Sequence, residues 1–291
     1  MSAGPDFFCI GMMKAGTGWL FDQLQHHPDF WMPPIKELHY FDREFPDGKQ
    51  ERTLERARTS FDQLKKSFVR QDWRPLDDRD RDFFREIDSY RGLEPDMERY
   101  KSLFRYKNGL LSGDVTPGYC ALPDDQIKQI AKSLPHLKVI LLIRDPVSRA
   151  WSQICMLRRR KKFDLRLLED IDDFHYFLDE WMIQSRSYPT RIMSQWARHF
   201  QPSNLQYFFF EDIESRPETV RTDILRFLGA DPSKESGRVA PTFNRKSTRK
   251  KIDMSDFIEK ALVNHYAEEI RECARAFGGH ASSWLSRYGL T

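Results

Sequence analysis

The feature that most constrains the fold is a short apolar run, Phe7–Met12, that leads into a loop of small residues. The run predicts a buried strand, and the spacing of Trp19, Leu20 and Leu24 after the loop predicts a helix over 17–27. A strand, a glycine-rich turn and a helix in this order bind anions. The free N–H groups at the start of the helix and the helix dipole both attract negative charge there.

The residues predicted to hold a phosphate at this turn are Lys14, Ala15, Gly16, Thr17, Gly18 and Trp19. Glycine lets the backbone approach the anion, Lys14 adds an ammonium group and Thr17 a hydroxyl. The common nucleoside-triphosphate loop has its Lys directly after the last Gly, whereas Lys14 precedes Gly16 by two residues. An ordinary strand-to-helix turn is the plain alternative.

The order Lys-Ala-Gly-Thr-Gly-Trp-Leu resembles the 5′-phosphosulfate loop of sulfotransferases, Lys-x-Gly-Thr-x-x-Leu. Those enzymes use 3′-phosphoadenosine 5′-phosphosulfate (PAPS) as the donor and release the bisphosphate PAP. The resemblance, which is to the heparan-sulfate-type and bacterial branch, implies that this turn holds the 5′ side of PAPS. It also implies that Lys14 takes part in catalysis and that no metal is needed.

A second signal follows the most continuous apolar run of the chain, Lys138–Ile143. Arg144 comes directly after this predicted strand, at the edge where open α/β sheets bind ligands, and its planar fork suits a phosphate. Ser152 follows eight residues later in a predicted helix. This spacing resembles the 3′-phosphate site of sulfotransferases. The plain alternative is an Arg144–Asp145 pair with a surface serine.

A third signal is the segment Lys36-Glu37-Leu38-His39-Tyr40-Phe41-Asp42. Glu37 and His39 share one face of an extended segment, and a carboxylate there can take the proton of an attacking hydroxyl. The segment resembles the Glu-x-His-Phe-Phe-Asp motif of heparan-sulfate-type sulfotransferases, which implies Glu37 as the general base with His39 and Asp42 in support. The cytosolic branch instead implies His39 as the base. A surface Glu beside a packed His is the plain alternative.

A fourth segment, Gly113–Tyr119, resembles the family's Gly-Glu-Lys-(Ser/Thr)-Pro-x-Tyr. Val115 stands where the glycan enzymes carry a Lys, and Met13 stands where several of them carry an Arg. Both differences remove positive charge near the acceptor, so we expect a neutral or modestly charged acceptor rather than a heavily sulfated glycan. Lys36 could restore part of that charge.

Two basic runs remain. In Asn244–Lys251 the resemblance implies that Arg249 and Lys250 bind the donor's 3′-phosphate, although a solvated loop has the same composition. The run Arg158–Lys162 indicates a solvated helix end, with steering of the acceptor as the alternative.

The alternation of apolar runs with helical patterns predicts an α/β fold, a P-loop-like parallel β-sheet flanked by helices. Leu205–Phe210 is a further predicted strand, and helices are predicted over 216–229 and 255–277. We expect one sulfotransferase domain over 1–291, with a charged helical insertion at about 43–110.

Composition sets a few bounds. The net charge of +3 does not favour nucleic acid as a partner. Four scattered cysteines predict buried free thiols in a reducing compartment. The first apolar run is too short for a signal peptide or a membrane span, and it begins too early to leave room for an anchor and stem. We therefore expect a soluble, cytoplasmic chain.

Taken together, the residues indicate a PAPS-dependent sulfotransferase (class EC 2.8.2) that acts on a hydroxyl of a small-molecule, lipid or carbohydrate acceptor. One alternative is a P-loop-type nucleotide or small-molecule kinase, which would need Mg²⁺ and ATP. Another is a catalytically silent binding module on the same fold. The sequence leaves the acceptor and the oligomeric state open.

Overall fold

The structure, a computed structural model, describes residues 4–42, 74–89, 96–168, 170–180, 185–234, 239–243 and 253–291. Its centre is a four-stranded parallel sheet in the order β2-β1-β3-β4. The strands are β1 (Phe7–Gly11), β2 (Gly113–Val115), β3 (Lys138–Ile143) and β4 (Leu205–Phe209). Every residue of β1 is buried, as a strand covered on both faces requires. The predicted fold, a parallel sheet flanked by helices, is confirmed.

The helices of the described residues are α1 (Thr17–Gln25), α2 (Asp78–Ser89), α3 (Met97–Ser102), α4 (Asp124–Ser133), α5 (Pro146–Arg159), α6 (Ile171–Asp179), α7 (Pro189–Ala197), α8 (Phe210–Ser215), α9 (Pro217–Leu228), α10 (Asp256–Phe277) and α11 (His280–Tyr288). Local signals explain several ends. The Asp145 carboxylate caps α5 by accepting a hydrogen bond from the Val147 N–H. Gly229 ends α9 in the left-handed conformation.

The pairing of the strands determines where the functional segments meet. β1 lies between β2 and β3, with Cys9 opposite both Val115 and Ile140. Because all four strands are parallel, the loop after β1, the segment after β2 and Arg144 after β3 leave the sheet at one edge. This is the edge at which open α/β sheets bind ligands.

The predicted insertion at 43–110 falls largely outside the described residues. Its described part contains α2 and α3, which are joined to the sheet by the short segment before β2. The organisation of the chain as one domain with this insertion stays a prediction. Cys9, Cys120, Cys155 and Cys273 are buried and free, as the sequence predicted.

Candidate active site

A cavity of about 580 Å³ opens at the carboxyl edge of the sheet. Its walls include eight of the residues that the sequence predicted for the site, namely Lys14, Gly16, Thr17, Gly18, Trp19, Glu37, Arg144 and Ser152. The volume falls within the range of small-molecule sites, about 300–1,000 Å³. Three separate sequence motifs therefore meet in one cavity.

The loop after β1 has a backbone that only particular residues tolerate. Lys14 and Gly16 have φ of 72° and 98°, and a Cβ on Gly16 would lie 2.9 Å from Ile213 Cδ1. Ala15 is fully buried, and its N–H donates to the Met12 carbonyl at 3.2 Å, so Ala15 shapes the loop from behind the cavity. The first N–H groups of α1, from Thr17 onward, have no acceptor within the helix.

Arg144 joins the two strand ends directly. Its Nη1 donates to the Lys14 carbonyl oxygen at 2.9 Å, and its guanidinium lies 4.4 Å from the centre of the Phe210 ring. The Asp145 carboxylate is engaged elsewhere, by the Val147 N–H and by the hydroxyls of Ser148 and Tyr288. The arrangement leaves Arg144 directed at the cavity rather than at the neighbouring aspartate.

Positive charge is concentrated around Lys14. Its burial and the guanidinium groups of Arg159 and Arg144 lower the pKa of Lys14 to about 8. Cations that are held together in a partly buried cavity repel one another, and an anion that binds between them relieves this repulsion. The electrostatics of the cavity therefore favour an anionic ligand.

Glu37 ends a chain of ionisable groups. The Oδ2 atom of the fully buried Asp42 lies 2.8 Å from His39 Nδ1. On the other side of the ring, His39 Nε2 lies 3.6 Å from Glu37 Oε2. The Lys36 ammonium lies 2.6 Å from the other oxygen of Glu37. His39 does not line the cavity itself but contacts Glu37 from behind.

These contacts fix the protonation states. Burial opposes ionisation of Glu37, but Lys36 and His39 outweigh it and hold the pKa of the carboxyl well below its usual range. Burial also favours the neutral ring of His39, yet Asp42 and Glu37 raise its pKa to about 9. At neutral pH these pKa shifts leave Glu37 ionised and His39 protonated.

The segment after β2 holds this chain of groups in place. The Tyr119 hydroxyl accepts from the Tyr40 N–H at 3.1 Å and donates to the buried Asp114 carboxylate at 2.7 Å. Gly118 must lack a side chain, because a Cβ there would lie 2.2 Å from Asp42 Oδ2. The fourth motif of the sequence therefore supports the site rather than lining it, apart from Pro117.

Backbone strain coincides with the predicted catalytic residues. Lys14, Glu37 and His39 have φ of 72°, 66° and 50°, a region that costs an ordinary residue roughly 1–2 kcal/mol. Among the described non-glycine residues, only Asn108 and Lys161 share this feature. Such strain clusters at functional sites, because only there does the surrounding structure need to hold it.

Sequence reasoning missed several walls of the cavity. They include Ser148, Trp151, Cys155, Met156 and Arg159 on α5, together with Phe210, Glu214 and Met254. Helical spacing from Ser152 could have found the residues of α5, since positions three and four apart share a face. No local signal marked the others. The predicted donor contacts Arg249 and Lys250 lie outside the described residues.

Neither a metal centre nor a membrane-spanning helix is found among the described residues. In that part of the chain, no group of three or more His, Cys, Asp or Glu side chains is placed to hold a metal ion. No helix there is long and apolar enough to cross a membrane.

The fold and the cavity define an α/β protein with a P-loop-like anion site at the edge of a parallel sheet. The sequence profile of the sulfotransferase family matches residues 5–234, so the chain belongs to the sulfotransferase family. Transfer of a sulfuryl group is accordingly the activity of its class, and the predicted resemblance is confirmed at the level of the family.

Solved structures share the fold. A sulfotransferase from Alicyclobacillus acidocaldarius is 20% identical with a TM-score of 0.66, and the match covers 97% of this chain and 99% of that one. The sulfotransferase domain of the Synechococcus PCC 7002 olefin synthase is 17% identical with a TM-score of 0.53, over 96% of both chains. At these identities the likeness concerns the fold alone.

A more similar sequence is the membrane-associated sulfotransferase kil1 of Dictyostelium discoideum. It is 28% identical over 161 residues, which are 54% of this chain and 25% of that protein. The aligned region thus covers about a quarter of that relative's length.

Proposed function

We propose that this protein transfers the sulfuryl group of PAPS to an acceptor hydroxyl and releases PAP. The observation that carries the proposal is the meeting of two strand ends in one cavity, where Arg144 hydrogen-bonds to the backbone of Lys14. Two cationic groups from different strands suit a ligand with separate anionic groups. Membership of the sulfotransferase family favours sulfuryl over phosphoryl transfer.

The residues present fit such a donor. The free N–H groups at the start of α1, together with Lys14, suit its 5′ side. Arg144 and the Ser152 hydroxyl would hold the 3′-phosphate, which ATP lacks, and Arg249 and Lys250 remain the predicted further contacts. When bound, the donor supplies an activated sulfuryl group.

The proposed work of the protein is positioning, charge stabilisation and proton transfer. Glu37 takes the proton of the acceptor hydroxyl as the acceptor oxygen forms its bond to sulfur. Lys14 stabilises the charge that develops on the bridging oxygen as its bond to sulfur breaks. The reaction balances with these two groups and needs no metal ion.

The protonation states support Glu37 rather than His39 as the base. With its pKa raised to about 9, His39 already carries a proton at neutral pH and cannot accept another. Glu37 is ionised and lines the cavity. In this proposal His39 and the buried Asp42 orient Glu37. The acceptor hydroxyl replaces part of the contact between Glu37 and Lys36.

Ligand binding tests the proposal directly. We expect PAP to raise the melting temperature by about 5 °C at about 100 times its dissociation constant, without Mg²⁺. AMP and ATP should shift it less. A matched assay with labelled donor and chelator should show sulfuryl transfer. A preference for ATP with Mg²⁺ would instead support the kinase alternative, and PAP binding without any transfer would support a silent module.

The pKa of Lys14 makes donor affinity depend on pH. The lowered value of about 8 means that the free site loses this positive charge as pH rises through 8, while a bound anion stabilises the charged form. We therefore expect PAP affinity, measured calorimetrically from pH 7 to 9.5, to fall above pH 8. Lys14→Arg stays charged throughout, so an equal fall in that variant would contradict the assignment.

The acceptor class and the cytoplasmic location also stay proposals. A hydroxyl acceptor is favoured because a carboxylate base has a clear task there.

A further inference from the structure

One cation in the cavity has no role in the scheme above. Arg159, the last residue of α5, lines the cavity and is half-buried, whereas its neighbours Arg158 and Arg160 are exposed. Within the part of the chain that the structure describes, the Arg159 guanidinium makes no hydrogen bond or ion pair. The exposure of Arg158, Arg160, Lys161 and Lys162 agrees with the predicted solvated helix end, whereas Arg159 also lines the cavity.

The position of Arg159 is set by the helix. Ser148, Ser152, Cys155 and Arg159 all line the cavity, and their spacing of four, three and four residues places them in one stripe along α5. At 1.5 Å per residue, Arg159 lies about 10 Å beyond Ser152 along the helix axis. Its backbone is thus about two helical turns beyond Ser152, which is proposed to bind the 3′-phosphate.

The wall near Arg159 combines charge with apolar surface. Cys155 and Met156 lie within one turn before it on α5, and Met13 and Met254 line the same cavity. Arg159 and Lys14 line the same cavity, and the Arg159 guanidinium helps to lower the pKa of Lys14. Like charges that share a partly buried cavity favour anionic groups on the molecules that bind there.

From this geometry we infer that Arg159 selects the acceptor, which would be an acidic small molecule. Its apolar body would contact the methionines while its single anionic group pairs with Arg159 and its hydroxyl reaches Glu37. The inference rests on the proposed function and refines it. The loss of positive charge at Met13 and Val115 would then be compensated in part by a cation from α5.

Paired ligands test the inference by binding, apart from turnover. Hydroxy acids and the corresponding amides would be titrated calorimetrically into the PAP-bound protein. One pair is 3-(4-hydroxyphenyl)propionic acid and its amide, and a second pair is an aliphatic hydroxy acid and its amide. We expect wild type to bind the acids at least about tenfold more tightly than the amides, the scale of a charge-assisted hydrogen bond. The preference should vanish in Arg159→Gln and reverse in Arg159→Glu.

The matched control is Arg158→Gln, which removes the exposed neighbour and should keep the preference of wild type. No acid preference in any pair, or an unchanged preference in Arg159→Gln, overturns the inference. So does a turnover loss in Arg159→Gln that is equal for acid and amide acceptors, because the residue would then act on the transferred group. If the wild-type protein did not bind PAP in preference to AMP and ATP, the proposed function itself would be wrong. Titration of the same acids and amides without PAP measures the contribution of Arg159 independently of that result.

Discussion

Replacement of Glu37 by Gln should lower turnover about 10²–10⁴-fold, the usual loss of a positioned general base. The amide keeps the size of the side chain but cannot accept the proton of the acceptor. Because Glu37 stands outside the Lys14 loop and the Arg144 region, PAP affinity should stay near that of wild type. Steady-state rates with labelled donor, together with PAP titrations of the same preparations, measure both quantities.

The pH profile separates Glu37 from the rival base. If Glu37 acts, the base is ionised throughout the neutral range, and kcat at saturating donor should be flat from pH 6 to 8. If His39 acted, its pKa of about 9 would make kcat rise roughly tenfold per pH unit over that range. Asp42→Asn is a useful companion, since loss of the contact with Asp42 should lower the pKa of His39 and loosen Glu37 without removing the base. Unchanged turnover in Glu37→Gln would exclude Glu37 from this role.

Patterning predicted β1 and β3 best, and both are buried along nearly their whole length. Their apolar runs identified them almost to the residue, because a parallel strand that is covered on both faces carries few polar side chains. The prediction of β4 was also correct to within one residue, although Gln206 and Tyr207 in it are only partly buried. β2 has only three residues, Gly113–Val115, and too few positions to show any period. Its place beside β1 follows from the tertiary pairing of Cys9 with Val115, which is not local information.

The candidate site was predictable where a motif carries its own chemistry. The Lys14 loop, Glu37 and the Arg144–Ser152 spacing are each short segments, and the parallel sheet brings them to one edge. Arg159 lines the cavity because of how α5 lies against that edge. The basic composition of Arg158–Lys162 alone indicated side chains exposed to solvent. Left-handed backbone at Glu37 and His39 was equally unpredictable, since neither residue signals it as glycine does.

Long-range contacts complete the site in a way that no local pattern reveals. The Trp19 indole donates to the Pro241 carbonyl at 2.8 Å, and the Gln23 amide donates to the Ala240 carbonyl at 3.1 Å. These bonds tie α1 to the chain shortly before the basic run that contains Arg249 and Lys250. A donor contact from that run is therefore consistent with the described residues around it, and it stays a prediction.

Replacement of Arg144 by Gln should have the largest effect on the donor. We expect PAP affinity to fall about 10²-fold, because a planar cation that can bind a phosphate with two hydrogen bonds is lost. AMP, which lacks the 3′-phosphate, should bind nearly as it does to wild type. The difference between PAP and AMP, measured calorimetrically in both proteins, isolates the 3′-phosphate from the rest of the nucleotide.

The comparison matters because Arg144 also touches the Lys14 backbone at 2.9 Å. If the substitution merely disturbed the Lys14 loop, PAP and AMP would weaken by the same factor, and the 3′-phosphate role would be wrong. Arg144→Lys, which keeps the charge but loses the planar fork, should recover only part of the difference. Ser152→Ala should reduce it by about tenfold, near the lower end of the range for a hydrogen bond to a charged group. This order of effects would show that Arg144 at the end of β3 and Ser152 on α5 bind the 3′-phosphate together.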